Sequence, residues 1–186
     1  MDDDQIVSNP NAFMITGGPG AGKSALIEAL RRRGEACVEE SGRAIILDQL
    51  RIRGRGLPGV DLGLYAELVL ARDLANFRAF AGAPGRVFFD RGVAELAGYF
   101  TPSGLEVPPH MRRAAEVCRY NRRVFAAPPW KAIYVNDSER TQTFAEAEAV
   151  FQAACQACRA AGYELIELPL DSVEARVDFV LQNALV

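Results

Sequence analysis

The chain has 186 residues, 49% of them apolar, enough for one well-packed domain and too few for two. With 21 basic against 24 acidic residues the formal charge is −3, which gives no general attraction to nucleic acid or to an anionic membrane. Only two of the basic residues are lysines, and one of them, Lys23, stands inside the most informative stretch of the chain.

The opening "MDDDQIVSNPN" is acidic and lacks a basic segment followed by an apolar run, so it does not read as a signal peptide. Residues 1–10 are expected to be a flexible tail, and 11–186 a single domain. No apolar stretch approaches the ~18 residues of a membrane span. The four cysteines are dispersed, as in a reduced, cytoplasmic protein.

"AFMIT" (12–16) reads as a buried strand, and "KSALIEALRRRG" as the helix after it, with Gly34 its stop. "EACVEE" (35–40) reads as a second strand and "RAIILDQL" (43–50) as a helix that breaks into the Arg- and Gly-rich loop "RIRGRGLPG" (51–59). That loop is either an acceptor-side element or a plain exposed connection. Leu70, Leu74, Phe77 and Ala81 recur at helical spacing. "RVFFD" (86–90) is a third strand, an Arg-rich helix is predicted around 110–126, and "WKAIYV" (130–135) is predicted as the fourth strand, with Trp130 and Tyr134 in the core. Arg119 and Arg123 would then share a helical face, with Arg122 beside them. Phe144, Ala147, Phe151, Ala154 and Cys158 form a helical stripe that ends before Gly162; the stripe assigns Cys155 and Cys158 to packing. "YELIEL" (163–168) is a fifth strand and 172–184 a closing helix. Apolar strands alternating with helices imply an α/β fold in three layers, with a five-stranded parallel sheet covered on both faces.

Gly17-Gly18-Pro19-Gly20-Ala21-Gly22-Lys23-Ser24 fits the G-x-x-x-x-G-K-[ST] phosphate loop, with the required strand before it and helix after it. The glycines let successive backbone N–H groups face one anionic cluster, and the helix N-terminus adds its partial charge. Lys23 can bridge the outer phosphates of ATP or another NTP, and the Ser24 hydroxyl can ligand Mg²⁺. Asp90 ends its strand at the carboxyl edge of the sheet, where it can serve as a second Mg²⁺ partner or as a simple cap. The residue after it is Arg91, so the Asp-Glu pair with which motor ATPases polarise water is missing. A guanine-reading Asn-Lys-x-Asp motif is missing as well.

The segments "ITGGPGAGKSALIEALRRRG", "VEESGR", "FFDRG", "PPWKAIYVNDSERTQTFAEA" and "GYELIELPLDSVEARVDFVL" together resemble a family of small AAA-type phosphate-loop ATPases that includes the ribosylnicotinamide-kinase domain of NadR. The resemblance spans about residues 12–184 and extends to nucleoside and nucleotide kinases. It implies strand order 2-3-1-4-5. It also implies that Glu40, at the end of the second strand, meets an acceptor hydroxyl, with Arg43 following at the family's spacing. Arg140 falls where related kinases carry a short lid, and it or Arg91 could reach a transferred phosphate. The expected activity is transfer of the γ-phosphate to a small, nucleoside-like hydroxyl acceptor by a monomer or homodimer. The expected catalytic set is Lys23, Glu40, Asp90, Arg91 and Arg140. A nucleotide-gated partner-binding ATPase and a plain NTP hydrolase stay open as alternatives.

Overall fold

The computed structural model describes residues 6–101, 104–134 and 143–184. At its centre lies β1 (Ala12–Gly17), buried at all six positions because it is covered on both faces. Its side chains alternate: Ala12 and Met14 join one core cluster, Phe13 and Ile15 the other. β2 (Ala36–Val38) and β3 (Val87–Asp90) lie on one side of it, β4 (Arg123–Ala127) and β5 (Glu164–Glu167) on the other. The order is therefore 2-3-1-4-5, with every neighbouring pair parallel, as the resemblance implied.

Seven helices, besides a 3₁₀ turn at Val93–Glu95, are present among the described residues: α1 (Lys23–Arg32), α2 (Ser41–Ile52), α3 (Leu62–Ala79), α4 (Ala97–Phe100), α5 (Pro109–Val117), α6 (Phe144–Ala160) and α7 (Val173–Asn183). Leu26, Ile27 and Leu30 of α1 and Val177 and Val180 of α7 cover the face bearing Phe13 and Phe88. Tyr65, Val69, Leu70 and Phe77 of α3, with Met111 of α5 and Cys158 of α6, cover the opposite face. Asp61 caps α3 by accepting from the Leu64 N–H, and Thr143 with Glu146 forms a capping box on α6. None of the described helices is long and apolar enough to cross a membrane.

Three local expectations are corrected. The fourth strand is Arg123–Ala127, not 130–135, and the helix before it stops at Val117. The reason is register: Met14 pairs with Val124 and Gly17 with Ala127, which places Pro128-Pro129, unable to donate to a ladder, just past the strand end. The arginines around it are thus not on a helix. Arg119 donates to the Ala161 carbonyl and lies 4.3 Å from the Tyr163 ring centroid, Arg123 donates to the Asn183 carbonyl, and Arg122 is exposed. Finally, the N-terminal segment is tied down from Val7, where Val7–Ser8 pair in parallel with Cys118–Arg119 and Asn9 is buried, donating from Nδ2 to the Phe80 carbonyl.

Candidate functional site

Gly17 ends β1 with φ 152° and passes so close to β4 that a Cβ there would sit 2.6 Å from the Ala127 carbonyl oxygen. Gly22, with φ 79°, turns the chain into α1. Between them Pro19, Gly20 and Ala21 line a cavity of ≈ 800 Å³, within the range of small-molecule sites. Lys23 is buried and donates from Nζ to the carbonyls of Gly17 (3.1 Å) and Gly18 (2.9 Å). Burial, helped by the nearby Arg91 charge, lowers its pKa, against the pull of Asp90, Glu40 and Glu95. Ser24 is exposed at the start of α1.

Strand register brings the second group in. Asp90 pairs with Ile15, two residues before the loop begins. It is buried, its Oδ1 has no hydrogen-bond partner, and burial, with the Lys23 charge opposing, raises its pKa to about 6. Ser24, Asp90 and Glu40 line one smaller cavity beside the loop. Arg91 follows in the left-handed region, φ 71°, where its N–H donates to the Ile15 carbonyl. This turn aims the guanidinium at three acceptors: Glu40 Oε1 (3.1 Å), Glu95 Oε2 (2.7 Å) and the Gly17 carbonyl (2.7 Å). Glu40 is half-buried. Desolvation disfavours its charged form, yet Arg91 and Lys23 outweigh it and its pKa lies below the ordinary carboxylate value. Glu95 is buried more deeply, and there desolvation prevails over Arg91, so its pKa is raised.

The large cavity runs in two directions from the phosphate loop. One side carries Glu40, Arg43 and Arg91 with the apolar side chains of Ile46, Leu47 and Leu50 from α2. The other carries Trp130, Ile133, the 171–173 turn and Arg176. Trp130 and Tyr134, expected in the core, are therefore relocated to the site. Trp130 lines the cavity, and the Tyr134 ring covers Gly20 and meets Phe144 edge-on at 5.3 Å. Arg140 lies outside the described residues.

Glu95 and Arg176 were not singled out from the sequence. Glu95 follows Arg91 at i, i+4. Such spacing joins two side chains when the chain turns helically, and the short helices after β3 were not foreseen. Arg176 stands in α7 between the partly buried Val173 and the buried Val177, and only its neighbours reveal that it is buried too.

Behind Glu40, Asp73 of α3 is buried, hydrogen-bonded to Ser41, and raised to about 7, above all by desolvation. The folded chain binds this proton more tightly than the unfolded chain, so the contribution of Asp73 to stability should fall as pH rises from about 4 to about 7 and level off above. Asp90 acts in the same direction. Thermal melts of Asp73→Asn should show a higher midpoint than wild type at pH 8, none at pH 4, and a flatter slope between; equal slopes would refute the assignment.

A family model described as an AAA domain matches residues 12–176. Comparison with curated protein sequences gives no match. Among solved structures, NadR protein in complex with NR superposes with a TM-score of 0.67 at 17% identity, covering 97% of this chain and 52% of that one. The chain thus spans about half of that protein's length. Deoxyadenosine kinase from M. mycoides, with its products dcmp and dcdp, gives 0.59 at 10% identity over 92% of this chain and 96% of that one. Shikimate kinase from Acinetobacter baumannii in complex with shikimate gives 0.53 at 13%, covering 95% and 93%. At these identities the likeness is one of fold.

Proposed function

Since the chain belongs to the AAA domain family, we propose that it is an ATP-dependent kinase that moves the γ-phosphate to a hydroxyl of a small, nucleoside-like metabolite. One observation carries this reading. Arg91 joins Glu40, which lines the cavity, to the Gly17 carbonyl of the phosphate loop, so an ionised carboxylate and a cation stand together beside the loop. Phosphoryl transfer to a hydroxyl asks for that pair: a carboxylate to take or orient the proton, and positive charge for the moving phosphoryl group. The apolar side chains of α2 beyond Glu40 would pack against a ring of the acceptor.

In this reading Lys23 exchanges the two weak carbonyl acceptors it now holds for phosphate oxygens. Ser24 and Asp90 fit a Mg²⁺ ion, since Asp90 has an unpartnered buried oxygen and the two residues line one cavity. Among the described residues no cluster of three or more His, Cys, Asp or Glu could hold a metal by itself, which suits an ion shared with phosphates. When bound, the ion would neutralise charge on the β- and γ-phosphates.

Lys23→Ala is expected to weaken Mg-ATP binding by about tenfold or more, the size of a lost charge-assisted hydrogen bond; identical calorimetric titrations would sink the nucleotide reading. The acceptor question is tested by incubating the protein with γ-labelled ATP and a panel of nucleosides and related hydroxyl compounds. A labelled phosphorylated acceptor is the expected product. Turnover that no acceptor stimulates would favour hydrolysis or nucleotide-gated partner binding instead.

A further inference from the structure

Arg176 presents an unusual energetic problem. Its side chain is 2% exposed, and Nη1 donates to the Ala21 carbonyl at 3.0 Å, while Nε and Nη2 are buried without a partner. Among the described residues no carboxylate lies within ion-pair distance of it. The nearest acid in sequence on the same cavity wall, Asp171, accepts from the Ser172 N–H. A guanidinium stays charged in a protein, so among the described residues this buried cation has one neutral acceptor and no counter-ion. Replacing buried charges by apolar side chains of similar size is often neutral or stabilising. Arg176 has no evident purpose in the fold taken alone.

The geometry of the Ala21–Gly22 peptide supplies one. The peptide is planar and trans, so its N–H points away from the carbonyl that Arg176 holds. That N–H belongs to the phosphate loop, whose backbone donors converge on the anion site. A cation on the carbonyl polarises the peptide and strengthens its N–H as a donor. The guanidinium also lies against the loop itself, since a Cβ on Gly22 would come within 2.8 Å of Nη1. In a poorly solvated place its charge is weakly screened from anything the loop holds.

We propose that Arg176 is a nucleotide-positioning residue: it stiffens and polarises the phosphate loop through Ala21, and the bound polyphosphate is its missing counter-ion. The proposal rests on the reading that this loop holds a polyphosphate. It implies that the resting protein keeps a destabilising charge in place for the ligand's sake.

Three substitutions separate charge from shape. Arg176→Lys keeps the charge, Arg176→Gln keeps a donor toward Ala21 without charge, and Arg176→Met keeps neither. Binding of Mg-ATP and of inorganic tripolyphosphate is measured by calorimetry, together with ligand-free melting temperature. Both probes should bind about tenfold or more weakly to the Gln and Met variants, the usual cost of one charge-assisted contact. The Lys variant should retain most of the affinity, and the ligand-free Met variant should melt no lower than wild type. Wild-type affinity in the Gln variant, or a Lys variant as weak as Met, would overturn the role of charge. A loss for ATP but not for tripolyphosphate would overturn it too, by assigning Arg176 to the base or ribose. If wild type binds neither probe, the phosphate-loop reading itself fails; if wild type binds both and all variants match it, only the role of Arg176 fails. Should the Met variant not fold, the Gln and Lys pair decides alone.

Discussion

Glu40→Gln should lower phosphoryl transfer by about 10²- to 10⁴-fold, the usual contribution of a general base, while ATP affinity and folding survive. The substitution is nearly isosteric, and Arg91 would keep Glu95 and the Gly17 carbonyl as partners. Neither the loop nor the buried ion pair beneath it therefore loses its support. Slow hydrolysis of ATP without acceptor should change much less, because water need not touch Glu40. The discriminating measurement is a pair of rates, with and without acceptor, for wild type and variant. Transfer falling alone supports Glu40 as the group that takes or orients the acceptor proton. Both rates falling together would attach Glu40 to water or metal and favour a hydrolase. No change in either would leave it as a strand-end acid that merely neutralises Arg91.

Asp90→Asn should cost transfer about 10²- to 10³-fold, the scale of losing one main electrostatic contribution at a reacting phosphate, while nucleotide still binds. This loss would not come from unfolding. Ionised Asp90 is buried with one oxygen unpartnered and a pKa raised to about 6, so a neutral amide of the same shape relieves an electrostatic strain at neutral pH. The variant should melt no lower than wild type above pH 6 and should need more Mg²⁺ to reach half its remaining rate. Unchanged activity would return Asp90 to a structural role and send the search for the metal partner elsewhere. Glu95 is a poor substitute for it, since its charge is engaged by Arg91 at 2.7 Å.

Local chemistry explains which parts of this architecture were legible in the chain. A strand, a glycine-rich turn and a helix in sequence suffice to define the phosphate loop, because all its donors come from eight consecutive residues, Gly17 to Ser24. The apolar run ending in Asp90 likewise carries its own address: a parallel strand beside β1 must end at the same edge as the loop. For Glu40 the family resemblance added what strand position alone left open. Where two readings of a segment were locally equal, the tertiary structure chose. "RVFAA" and "WKAIYV" are both short and apolar, and the helical reading of 110–126 passed over the first. Only pairing of Val124 through Ala127 with β1 selects the first and frees Trp130 for the cavity and Tyr134 for its place over Gly20. The Arg91 network was beyond sequence reasoning for a different reason. Glu40, Glu95 and Gly17 lie up to 74 positions from Arg91, and they meet because β1, β2 and β3 are neighbours and Arg91 adopts a left-handed turn. Arg176, 155 positions from Ala21, could be recognised as a buried charge only once α7 was packed against α1. Periodicity and motif report on neighbours along the chain, whereas desolvation and ion pairing depend on neighbours in space.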